Sequence, residues 1–81
     1  MLNLQAKTKL PVEDVMVRAK RFFGEGGLGL SLAEETPGCV TFEGGGGYVT
    51  VTLCAEEGKT RVDLLTQEWD YQVKEFAAKL S

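Results

Sequence analysis

The chain predicts an α+β domain, with an antiparallel sheet of about five strands, two helices on one face and the order β-α-β-β-β-β-α. Three observations point there. Five short stretches alternate apolar and polar residues, two longer ones space apolar residues as a helix does, and tight turns join the later strands. With one apolar face per strand, both helices belong on that face. At 81 residues the chain reads as a single domain, 1–81.

Leu2, Leu4, Ala6, Thr8 and Leu10 alternate with Asn3, Gln5, Lys7 and Lys9, the pattern of a half-buried first strand. Pro11 suits the first turn of a helix, where its missing N–H costs nothing. Val12, Val15, Met16, Ala19 and Phe22 or Phe23 follow at helical spacing, with Glu13 and Asp14 early and Arg18, Lys20 and Arg21 late. That order of charge complements the helix dipole, and Gly24 ends the helix. Leu28, Leu30 and Leu32 alternate with Gly29, Ser31 and Ala33 as a second strand, and Glu35-Thr36-Pro37-Gly38 is a turn.

Val40 and Phe42 face the core from a third strand, opposite to Cys39 and Thr41. Gly44 to Gly47 form a loose hairpin connection. In the fourth strand Val49, Val51 and Leu53 face in, with Thr50, Thr52 and Cys54 outside. Glu56-Glu57-Gly58-Lys59 turns into a fifth strand with Val62 and Leu64 inside and Arg61, Asp63 and Leu65 outside. The first strand is expected beside the fifth. Thr66 reads as the N-cap of the last helix, with Glu68 and Asp70 in its first turn and Lys79 in its last. Trp69, Val73, Phe76, Ala77 and Leu80 make the apolar stripe of that helix.

Net charge is −3, which speaks against generic phosphate-backbone binding, since that needs a concentrated positive surface. No nucleic-acid partner is expected. No apolar run approaches the roughly 18 residues of a membrane span, so no membrane partner is expected either. The first residues lack the charged-then-apolar pattern of a signal peptide. Two cysteines, Cys39 and Cys54, are too few for a disulfide scaffold. The expectation is reduced thiols in a cytoplasmic protein.

Gly24-Glu25-Gly26-Gly27-Leu28-Gly29 matches G-x-G-x-x-G, but a dinucleotide site needs a strand before it and a helix after it. Here a helix precedes and a strand comes after, so the segment reads as a helix-stop loop. Gly44 to Gly47 lack the Lys and Ser/Thr of a phosphate loop. If the hairpin centres between Gly45 and Gly46, Cys39 lies opposite Thr52 and Cys54 is diagonal. That separation, about 7 Å or more, is too long for an easy disulfide. The chain has no histidine, so a zinc site would need thiolates from two chains. Glu34-Glu35 and Glu56-Glu57 are adjacent in sequence and point apart in a strand, which makes them solvated turn charges rather than an acid/base pair. Ser31, Thr41, Thr50 and Thr52 have no histidine base. No catalytic residue, cofactor site or metal ligand is assigned.

The order of elements resembles the single repeat of the TATA-binding protein. It also resembles a shortened form of the START and polyketide-cyclase helix-grip superfamily. Leu10-Pro11-Val12-Glu13-Asp14-Val15 and Glu68-Trp69-Asp70-Tyr71-Gln72-Val73-Lys74-Glu75-Phe76 look like the two ends of that second architecture. The helix-grip family usually has more strands and a second short helix. In the TATA-binding protein the outer sheet face grips DNA; here the aromatic wedges that kink DNA are absent. Shared element order says little about function, so no site residue is carried over.

The outer sheet face is the most informative surface. Its first and fifth strands bring Asn3, Gln5, Lys7 and Lys9 beside Arg61, Asp63 and Leu65; the middle strands bring Ser31, Cys39, Thr41, Thr50, Thr52 and Cys54. The expectation is a non-catalytic domain that binds a protein partner or itself as a homodimer. The second expectation is a carrier of a small apolar ligand held between helices and sheet.

Overall fold

A computed structural model describes residues 1–80. Its elements run β1 (Leu2–Thr8), α1 (Val12–Phe23), β2 (Ser31–Thr36), β3 (Cys39–Gly44), β4 (Gly47–Glu56), β5 (Lys59–Gln67) and α2 (Asp70–Leu80). The strands form one antiparallel sheet in the order β1-β5-β4-β3-β2. The α+β class, the order of elements and the pairing of the first strand with the fifth are all present as the sequence predicts. Both helices cover the apolar face. Val40, Phe42, Val49, Val51, Leu53, Val62 and Leu64 from the sheet meet Val15, Met16, Ala19 and Phe23 from α1 and Val73, Phe76 and Leu80 from α2, all buried.

Helix α1 starts one residue later than expected. Pro11 stands at the N-cap in an extended conformation, and its carbonyl accepts the N–H groups of Asp14 and Val15. Of the two candidate phenylalanines, Phe23 is the fully buried one. Gly24 closes the helix without a left-handed turn. Its φ is −84°, and the positive φ values fall downstream at Gly26 and Gly29. The Gly24–Gly29 segment is wrapped by its own backbone, through Leu28 N–H to Phe22 O at 3.0 Å and Gly29 N–H to Gly24 O at 3.0 Å.

The second strand differs from expectation. Leu28 and Leu30 lie in that loop, and β2 takes in Glu34, Glu35 and Thr36, although Glu35 and Thr36 read as turn residues in the sequence. The register with β3 slips between Leu32 and Glu34, so Ala33 is bulged. Leu32 pairs with Phe42 on the helix side, yet it is 51% exposed, because an open hollow shared with Lys20, Gly24 and Glu25 lies beside it.

Thr66 is not a helix cap. Strand β5 continues through it to Gln67, and the hydroxyl is buried, donating to Tyr48 O at 2.6 Å. Trp69 O accepts the first bond of α2, from Val73 N–H. Two other buried threonines latch the sheet to neighbouring segments. Thr8 Oγ1 donates to Leu80 O at 2.7 Å and Thr60 Oγ1 to Leu10 O at 2.7 Å. Thr66→Val should cost about 1–3 kcal/mol, because it removes a buried hydroxyl's bond without changing volume. A urea midpoint unchanged from wild type would show that the Thr66 hydroxyl contributes nothing.

Candidate interaction face

With both helices on one side, the other side of the sheet is bare. Strand register sorts the candidate residues into rows across it. One row is Asn3, Leu65, Thr50, Thr41 and Glu34. The next is Gln5, Asp63, Thr52, Cys39 and Thr36. A third is Lys7, Arg61 and Cys54, and Ser31 stands beside Glu43 near the far edge. Lys9 is the exception. Strand β1 ends at Thr8, and Lys9 joins Lys7 and Lys59 around an open hollow of about 550 Å³.

The middle of this face bonds to itself. Thr41 and Thr50 hydroxyls lie 3.1 Å apart, and Cys39 Sγ is 3.7 Å from Thr52 Oγ1. Cys39 pairs with Thr52 and Cys54 with Arg61, so the two thiols are diagonal and both are free. The charged end is also satisfied within the sheet. Glu56 takes Lys7 at 3.8 Å and Arg61 at 3.5 Å, and Asp63 takes Arg61 at 3.3 Å and the Gln5 amide at 3.1 Å. The result is a flat platform of short hydroxyl and thiol side chains, with Leu65 half-buried among them. Among the described residues no three His, Cys, Asp or Glu side chains come together as a metal site, and no helix is long and apolar enough to cross a membrane.

No family model matches the chain. No curated protein matches it, and no solved structure does. The geometry of the sheet and its edges therefore carries the functional reading.

The two sheet edges are unlike each other. Strand β2 is exposed along all six residues, but it carries a bulge at Ala33 and the carboxylates of Glu34 and Glu35, both of which obstruct pairing with another strand. Strand β1 has seven residues in unbroken register with β5, and Lys7 is its one charge. On its apolar side Leu2, Leu4 and Ala6 are only partly covered, although they pack against the core. Sequence patterning exposes the alternation of β1 but not its position at an open edge, since edge or centre is decided by which strands pair.

Proposed function

We propose that the chain is a non-catalytic interaction domain that works as a homodimer, joined through its β1 edges. The observation that carries this reading is the β1 edge itself, regular, almost uncharged and half-covered, beside a β2 edge that is bulged and acidic. Antiparallel neighbours point to the same side of a sheet. Two β1 strands must therefore pair even with even and odd with odd residues to keep Leu2, Leu4 and Ala6 on the core side. Centring the pair on Gln5 uses the whole strand. Leu4 then faces Ala6 of the second copy, Asn3 faces Lys7, and no like charges oppose one another.

A standard interface covers roughly 800 Å² per partner, about a sixth of the 4829 Å² surface of this chain. A seven-residue edge covers only part of that, so α2 has to contribute. Lys79 lies over Phe22 of α1. The opposite flank of α2, which carries Asp70, Lys74 and Ala77 at helical spacing, looks toward the β1 edge. Dimerisation places the two outer faces side by side as one ten-stranded platform for a further protein partner.

A filled core supports this reading over a carrier with its ligand between helices and sheet. Such a site needs about 300 Å³ or more of enclosed space, whereas the sheet and helix residues between the layers are packed against one another and the hollows lie open at the surface. The test is a pair of charge changes at Asn3, whose partner within the monomer is the uncharged Leu65. Asn3→Asp gains an ion pair with Lys7 of the second copy and should tighten the dimer. Asn3→Lys opposes that lysine and should loosen it. Each cross-strand pair occurs twice, so the shifts in Kd should be roughly two- to thirtyfold. Dimers of equal strength in both variants would rule out this register.

A further inference from the structure

The helix layer carries a second surface that the β1 edge does not involve. Between α1 and α2 a hollow of about 260 Å³ has Phe22, Phe76 and Leu80 as its floor. Beside it, along α1, a second hollow of about 400 Å³ is lined by Asp14 and Val17, and Val17 is 46% exposed. Arg18 and Arg21 line both hollows. They stand one turn apart on the same face of α1. The described residues give neither guanidinium an ion pair, while Lys20 on the same helix is held by Glu35 at 2.6 Å. Lys79 closes the first hollow, its ammonium 5.0 Å from the Phe22 ring centre.

We propose that this trough docks an acidic amphipathic helix of a partner protein. One apolar hollow, rimmed by Arg18, Arg21 and Lys79, beside a second that is mostly polar, calls for apolar anchors on one face of the incoming helix and carboxylates flanking them. Apolar anchors at i and i+4 of an incoming helix share one face and enter the hollow over Phe22, Phe76 and Leu80, the mode helix-in-groove recognition uses. Arginine suits the divide, because its planar fork binds a carboxylate through two parallel hydrogen bonds. Asp14 at the far end of the second hollow repels acid there and so directs the carboxylates toward Arg18, Arg21 and Lys79. A fatty-acid tail fits less well, since the arginine pair interrupts the apolar floor that a continuous chain would need.

The experiment uses the full chain and a fluorescein-labelled synthetic amphipathic peptide, with Leu at i and i+4 and Glu between and around them. A second peptide has Lys for every Glu. Fluorescence anisotropy should show that R18E/R21E weakens the Glu peptide about tenfold or more. The same variant should bind the Lys peptide more tightly than wild type does. Lys59→Glu, at the other hollow, should leave Glu-peptide affinity unchanged. All three sites are on the surface, and unchanged melting of each variant confirms the comparison. Equal loss in Lys59→Glu, or no gain for the Lys peptide, overturns the proposal. So does the absence of peptide binding together with binding of sodium alkanoates that tightens roughly fourfold per methylene, which would assign the trough to a single-chain lipid.

Discussion

Phe23→Ala is expected to destabilise the domain by about 3–5 kcal/mol, the largest loss expected from truncating any one core side chain. The side chain is fully buried, and its ring joins three elements. Its centre lies 5.0 Å from Phe22 on α1, 5.1 Å from Phe76 on α2 and 5.6 Å from Phe42 on β3. Removing it leaves a cavity at the point where both helices meet the sheet, so no single element can relax to fill it. A chain this short has roughly 4–12 kcal/mol of total stability, so the variant should lose at least about a quarter of it. Phe22→Ala is the control. Phe22 is only half-buried and should cost clearly less. Urea unfolding followed by circular dichroism gives both values, and a Phe23→Ala midpoint as high as that of Phe22→Ala would contradict the packing described.

Trp69→Ala should cost about 3 kcal/mol, the lower end of the range for a tryptophan because the indole is partly exposed. The residue stands before α2 and lies against the β3–β4 hairpin. Its Nε1–H donates to Gly44 O at 3.0 Å. The glycine run has several causes, of which the indole is one. Gly45 and Gly46 have φ of 59° and 83° and form a two-residue hairpin turn between Gly44 and Gly47. A Cβ on Gly45 would stand 2.8 Å from the Trp69 ring, and one on Gly47 would collide with the Gln67 carbonyl. Glu68, just before the indole, has φ 79°, a conformation that costs a non-glycine residue about 1–3 kcal/mol. Trp69→Phe should lose about 1 kcal/mol, chiefly the hydrogen bond. Gly45→Ala should be destabilising in wild type and milder in the Trp69→Ala background, where the ring is gone. Equal losses for Gly45→Ala in both backgrounds would separate the glycines from the indole.

Much of the fold is legible in the sequence because period-two alternation in β1, β3, β4 and β5 is a direct record of one buried face. The two-residue turn at Gly45 and Gly46 also sets the pairing of Cys39 with Thr52 as the sequence predicts. Strand β2 departs from its expected place for a physical reason. Its residues are all exposed, so no buried face stamps a period on them, and two of the three leucines that suggest alternation belong to the preceding loop. Thr66 misleads because a threonine before an acidic turn looks the same whether its hydroxyl caps a helix or reaches a neighbouring strand's carbonyl. The glycine run likewise gives no sign of the indole above it, since Trp69 lies more than twenty positions away. The outer face is legible residue by residue, Lys9 apart, because strand alternation places it. The distinction between its two edges, and the trough on α1, depend on pairing and helix packing that local patterns do not encode.

The central claim is that two copies join through β1, and sedimentation equilibrium of the wild-type chain at tens of micromolar tests it most directly. The expected mass is twice 8.8 kDa, falling toward the monomer on dilution, and at a higher concentration for Asn3→Lys than for wild type. A wild-type mass that stays near 8.8 kDa across that range would contradict it.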